Sequence, residues 1–144
     1  MRYELMSSYE LLKKHRDLLE KNFRESGEGE AFCASLDFYR ELSRTTDGFA
    51  YAVYDGNRII GAASVFVAPH QHNGELTAMN DTIFVLPEFR KTAVPGRLFV
   101  LCEREAARRG CRAFQWTCGT DSPMAAALAR REHEACQITF TRRL

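Results

Sequence analysis

No apolar run in this chain is long enough to cross a bilayer. The longest stretches, such as residues 59–68, are too short and too interrupted to serve as a span. An excess of charge is also missing: 20 Lys and Arg stand against 19 Asp and Glu, a net charge of +1. That balance excludes a global electrostatic drive toward nucleic acid or membrane, but not local basic patches. The opening residues Met1-Arg2-Tyr3-Glu4 lack the form of a signal peptide, so a cytoplasmic protein is expected. The five cysteines (Cys33, Cys102, Cys111, Cys118 and Cys136) are odd in number and contain no C-x-x-C pair. Free thiols are expected rather than a disulfide framework. His70 and His72 are close together, but no cysteine accompanies them, and no metal site is expected. Repeats, low-complexity segments and linkers are absent as well.

What is present reads as one globular domain over residues 1–144. The 144 residues, 45% hydrophobic and 27% charged, suffice for a real core. Leu11, Leu12, Leu18, Leu19 and Phe23 recur at helical spacing and predict a helix over 8–24. A glycine-rich break follows, then a second helix over 31–44 with Phe32, Leu36, Tyr39 and Leu42 along one face. From Phe49 the period changes to two. Strands over 49–54 and 58–68 flank the hairpin signal Asp55-Gly56-Asn57. The second of these is apolar nearly throughout, as a central strand would be. A polar loop leads to a strand over 75–85. Beyond it come a helix over 94–109 closed by Gly110, a strand over 113–118, a helix over 124–131 opened by Ser122-Pro123, and a final strand over 136–142.

The most informative stretch runs from 83 to 110. An apolar strand stops at Pro87, a short loop carries Arg90, Lys91 and Gly96, and an amphipathic helix begins. The first amides of a helix have no intrahelical partner and lie at the positive end of its dipole, so this unit suits an anion such as a pyrophosphate. The word Val85-Leu86-Pro87-Glu88-Phe89-Arg90 resembles the lead-in to the pyrophosphate loop of the GNAT superfamily of acyl-CoA N-acetyltransferases. In their Q/R-x-x-G-x-G/A loop, Arg90 takes the first place, Ala93 and Pro95 stand where glycines are usual, and Gly96 lies one residue late. The order of elements is also similar to that family's. Residues 138–144, with the same lead-in, resemble small bacteriophage-type members, which would place the protein in a host cytoplasm.

The resemblance implies an α/β (α+β) fold: a mixed, largely antiparallel sheet flanked by helices. That sheet would splay between strands 75–85 and 113–118 to admit acetyl-CoA as acyl donor. It implies an acetyl-CoA-dependent N-acetyltransferase in which an amine attacks the thioester directly. Phosphate binding would fall to the amides of Thr92, Ala93, Val94, Gly96, Arg97 and Leu98, with charge from Arg90, Lys91 and Arg97. Pro95 has no N–H to offer. Amides near Ile83, Phe84 and Val85, freed by a bulge, would polarise the thioester carbonyl. Ser122 could bind the coenzyme or cap its helix. Many members place a tyrosine acid in the last helix, where this chain has Leu128, or Ala129 with a one-residue slip. Asp81 and Glu75, on the strand that usually carries the base, are the candidate proton acceptors.

The acceptor is expected to be an amine on a small molecule, a protein lysine or a modified base. Phe38, Tyr39 and Tyr51 are candidates to line its pocket, and a homodimer is left open. Two rival readings remain. One is a non-catalytic coenzyme A-binding or protein-interaction module on the same fold. The other is a nucleic-acid binder using Arg108, Arg109, Arg112, Arg130 and Arg131, which the near-neutral charge disfavours.

Overall fold

The computed structural model describes residues 1–26, 31–45, 48–131, 133–135, 140 and 142. Among them the strands form one five-stranded sheet in sequential order: β1 (Arg2–Met6), β2 (Phe49–Asp55), β3 (Arg58–Pro69), β4 (Leu76–Val85) and β5 (Ala113–Gln115). The first four run antiparallel, and β5 joins β4 in parallel. That last connection crosses over through helix α3 (Val94–Arg108). Helices α1 (Ser8–Glu25) and α2 (Leu36–Thr45) precede the β2–β3 hairpin, and α4 (Pro123–Ala129) follows β5.

Local chemistry accounts for the boundaries. Ser7 caps α1, accepting from the Glu10 amide, while the Glu10 side chain accepts from the Ser7 amide: a capping box. The apolar stripe of α1 buries Leu11, Leu12, Leu18 and Leu19. His15, within that stripe, bonds the Tyr54 hydroxyl at 2.8 Å and has non-helical backbone angles, so α1 is kinked there. Helix α2 starts at Leu36 rather than at residue 31. Ser35 is the reason: its hydroxyl accepts from the Phe38 amide at 3.2 Å, the work of an N-cap. The hairpin turns at Gly56, whose φ of +57° favours glycine.

Strands β2 and β3 are buried along nearly their whole length, as strands packed by both α1 and α3 must be. Strand β1 is absent from the sequence prediction. Its five residues are too few for a legible alternation, and its conformation follows from pairing with β2 between Arg2↔Tyr54 and Met6↔Ala50. Strand β5 is shorter than predicted, ending at Gln115. The predicted final strand lies mostly outside the described residues. No described helix is long and apolar enough to cross a membrane.

Candidate active site

Strands β4 and β5 pair only at Thr77↔Ala113, Ala78↔Phe114 and Met79↔Gln115. Beyond Met79 the two backbones part, while β4 stays paired with β3 as far as Val85↔Gly61. Asn80 spans the fork. Its side-chain nitrogen donates to the Thr117 carbonyl at 3.1 Å, and its oxygen accepts from the Thr117 amide at 2.6 Å. A side-chain amide thus supplies one more rung where the backbones have separated. Past that rung lies a cleft of about 750 Å³, a usual size for a small-molecule site. One wall is β4 from Asp81 to Val85. The others come from residues 117–119, from Pro95 and Phe99 of α3, from α4, and from the end of α1 with Phe32 and Tyr39.

The fork also holds a β-bulge. Ser64 pairs with Thr82 and Val65 with Asn80, so Asp81 is the extra residue of β4. The bulge therefore lies two residues before the Ile83–Val85 segment expected to carry the freed amides. Ile83, Phe84 and Val85 do line the cleft, with Phe84 and Val85 largely buried. Asp81 faces the cleft and accepts from the Tyr39 hydroxyl at 2.9 Å. Desolvation by the surrounding walls raises the Asp81 pKa, and hydrogen bonds from Tyr39 and Ser64 partly oppose the rise. The carboxylate remains reachable by water from the cleft. Tyr39 is itself pushed above the ordinary phenol range, by burial first and by the Asp81 charge second. Sequence reading placed Tyr39 on the acceptor side but missed its bond to Asp81, which joins α2 to β4. Glu75 is elsewhere: it is exposed in the turn before β4, tied to Asn73, and outside the cleft. His70 and His72 occupy the same outlying loop.

The basic loop is arranged differently from the expectation. Arg90 lines the cleft, but its Nε donates to the Val85 carbonyl at 2.8 Å and its Nη2 pairs with Glu25 at 2.7 Å. Lys91 and Arg97 are not among the cleft walls, and the Arg97 guanidinium lies over the Tyr3 ring at 4.9 Å. The Thr92 hydroxyl donates to the Phe89 carbonyl and accepts from the Val94 amide, one residue ahead of the α3 N-cap. Ala93 is the N-cap residue, while Val94 and Leu98 are core. Pro95, without an N–H, faces the cleft. The Gly96 amide makes no hydrogen bond to the described residues.

Helix α4 begins at Ser122, whose hydroxyl accepts from the Ala125 amide at 3.2 Å while also lining the cleft. Both jobs foreseen for Ser122 are therefore compatible. Leu128 is buried, so α4 offers no phenol there, and Tyr39 is the tyrosine of the described cleft wall. His133 contacts the Leu128 carbonyl at 3.2 Å and Glu103 at 2.7 Å, tying the end of α4 to α3. Cys118 is a wall residue. Cys33, Cys102 and Cys118 are free thiols, and burial pushes Cys102 up to about 12.

A forked sheet with a bulge on one prong and a basic strand–loop–helix beneath it is a specific combination. The sequence model of the acetyltransferase (GNAT) family matches residues 12–133. The chain belongs to that family. No curated protein matches it by sequence. Solved structures share the GNAT fold at low identity. One is AAC(6')-Iy, an aminoglycoside N-acetyltransferase in complex with the bisubstrate analogue CoA-S-monomethyl-acetylneamine. It is 18% identical, with a TM-score of 0.75 over 100% of this chain and 99% of that one. Another is a ribosomal-protein-alanine N-acetyltransferase from Brucella melitensis biovar Abortus 2308, 12% identical, TM-score 0.74, covering 100% of each chain. A third is an aminoglycoside acetyltransferase from an uncultured soil metagenomic sample, 15% identical, TM-score 0.77, covering 100% and 99%. Membership in the GNAT family makes this chain an acetyl-CoA-dependent N-acetyltransferase. Its cleft suits that donor: an apolar wall along β4 and a β4 edge unpartnered by β5 beyond the fork.

Proposed function

We propose that this GNAT protein acetylates a primary amine that enters the cleft from the α1–α2 side, with Asp81 as proton acceptor. The observation that carries this reading is Asp81 itself, a carboxylate at the bulge of β4, facing the cleft and held by Tyr39. Acetyl-CoA supplies the activated acetyl group as a thioester. In the transfer, a bond forms between the amine nitrogen and the acetyl carbonyl carbon, and the carbon–sulfur bond breaks. The ammonium nitrogen gives up two protons in all: one passes to Asp81 and the other, through solvent, to the departing thiolate, which leaves as free thiol. Asp81 receives its proton directly or through water, and the desolvation that raises its pKa makes it a better proton acceptor than an exposed carboxylate. Tyr39 keeps the carboxylate oriented. Amides of the β4 edge around Ile83 to Val85 face the reacting carbonyl and stabilise charge developing on its oxygen.

The acceptor wall includes Asn22, Phe23, Phe32 and Tyr39 beside Asp81. Aromatic faces near a carboxylate attract a cationic amine before it is deprotonated. Small polyamine-like molecules such as aminoglycosides meet that description, as does a protein amine. Thiol release from acetyl-CoA should be measured against a panel of aminoglycosides, lysine peptides and aminated nucleobases. Release above the buffer rate with at least one amine is expected. Tight coenzyme binding with no release for any amine would favour the non-catalytic binding module.

A further inference from the structure

We infer that the acceptor is a singly charged amine carried on an apolar, ring-bearing body, met by Asp81 at its ammonium end and by Phe23 and Phe32 along its length. The inference rests on the amine-acetylation reading above and narrows the acceptor class. Aminoglycosides and simple monoamines both offer a reacting nitrogen. They differ in how much further charge and how many hydroxyls they bring. The charged side chains of the described cleft wall are Glu25, Asp81, Arg90 and Arg130. Carboxylates and guanidinium groups balance, so the wall has no net negative field for a polycation. Glu25 is already paired with Arg90 at 2.7 Å. The partners of Asp81 are hydroxyls, those of Tyr39 and Ser64. One ammonium therefore finds a counterion at Asp81, and a second has none left to meet in the described wall.

The aromatic surfaces point the same way. A ring face can hold an ammonium, but rings of this wall already carry cations. The Arg16 guanidinium lies 5.1 Å from the Phe32 centroid, and that of Arg90 lies 5.2 Å from the Phe84 centroid. Arg16 is itself outside the cleft wall and is anchored by donating to the Ala34 carbonyl at 3.2 Å. An added ammonium beside Phe32 would meet this like charge. Hydroxyl-rich bodies fare no better. Polar side chains along and just past the end of α1 are engaged with the protein. Asn22 donates to the Thr82 hydroxyl, and the Ser26 hydroxyl donates to the Phe23 carbonyl at 2.7 Å. What remains on that side is apolar. Phe23 of α1 and Phe32 ahead of α2 set their rings 5.6 Å apart at 54°, with Leu19 in the same wall. A flat hydrocarbon ring packs well against such a tilted pair. A charged or hydroxylated one would lose water there without new partners.

The test is a matched pair, p-methylbenzylamine and p-xylylenediamine, which share a ring and differ by one ammonium. Thiol release from acetyl-CoA is followed on the full chain, and binding of each amine to the coenzyme A complex is measured by calorimetry. The monoamine should show a kcat/KM about 10-fold or more above that of the diamine, the scale of one like-charge contact near a protein surface. Sisomicin, with more ammonium groups still, should fall below both. Phe32→Leu should raise the KM for the monoamine about 5- to 10-fold, with kcat and the KM for acetyl-CoA little changed. That split distinguishes acceptor recognition from a folding defect. Arg16→Gln should narrow the gap between the two amines several-fold, because the like charge beside Phe32 is gone. Equal efficiency with the two amines, or a preference for the diamine or sisomicin, would overturn the inference. If neither amine released thiol, calorimetry would decide it. Tighter binding of the monoamine would then sink the transfer reading alone, and equal binding would sink the inference as well.

Discussion

Asp81 is the residue where two demands meet. It occupies the bulge that opens β4 toward the cleft, and it carries a carboxylate whose pKa is raised by desolvation. Asp81→Asn keeps size and hydrogen bonding while removing the charge. It should lower kcat about 10²- to 10⁴-fold, the range of general-base contributions, with acetyl-CoA affinity little changed. The rising limb of the pH–rate profile should disappear with it. The sign for stability runs the other way. A carboxyl whose folded pKa is raised contributes most below its unfolded pKa and loses that contribution as pH rises through the folded value. At pH 7 the asparagine variant should therefore melt no lower than the wild type. Normal turnover together with a lower Tm would make Asp81 a structural residue. Tyr39→Phe gives a second readout. Its hydroxyl holds the Asp81 pKa down, so removing it should move the rising limb to higher pH in the kcat profile. The candidacy of Asp81 was legible from its place on the strand before Ile83. Its bond to Tyr39 was not, because the two are 42 residues apart and meet only when α2 packs over the sheet.

At the scale of elements, the fork between β4 and β5 depends on two small features. Asn80 closes the ladder with two hydrogen bonds to Thr117. Asn80→Ala should leave the Thr117 backbone groups without these partners and loosen the β5 side of the cleft. A stability loss of about 1–2 kcal/mol in urea titration is expected, with a raised KM for acetyl-CoA. No change in either quantity would mean that the rung is dispensable. Gly61 of β3 is the second feature. A Cβ there would stand 3.0 Å from the Phe84 carbonyl oxygen and 3.1 Å from the Val85 side chain. Gly61→Ala requires the facing β4 backbone to give way. A cost of about 1–3 kcal/mol is expected by chemical denaturation, the usual scale for overpacking. Helices with clear stripes and caps were readable from sequence, and so was the glycine turn at Gly56. The start of α2 was not, since Ser35 outcompetes a continuous helical pattern reaching back to residue 31. Nor was β1, whose short edge strand takes its register from β2.

For the whole molecule, acid stability has an identifiable contributor away from the cleft. Glu105 of α3 is 6% exposed, and its carboxylate accepts from Arg108 and Arg109 at 2.7–2.8 Å. Chiefly the Arg108 hydrogen bonds, helped by Arg109, hold its pKa down at about 2. A depressed folded pKa gives stability that is present above the unfolded value and is lost as pH falls toward about 2. Because Arg108 is largely exposed, the contribution is discounted to roughly 1–2 kcal/mol. Glu105→Gln should lower stability at pH 7 by about that amount and flatten the fall below pH 4.5. Parallel acid titrations followed by circular dichroism would show it. Identical titration curves would remove Glu105 from the account.

Periodicity and turn chemistry, which act over a few residues, were enough by themselves to indicate most of the helices and strands. A contiguous word, Val85 to Arg90 with the helix after it, was enough for the family and for its acyl donor. Those signals survive in sequence because their physics is local: hydrogen bonds within a turn, side chains on one face of a helix or strand. Only the tertiary structure decided how the site is furnished. It put the bulge at Asp81, removed Glu75 from the cleft, and turned Arg90 toward Glu25. It also brought Tyr39 against Asp81. Each of these depends on where a charge or hydroxyl finds its nearest partner after distant segments pack. A linear pattern does not encode that distance.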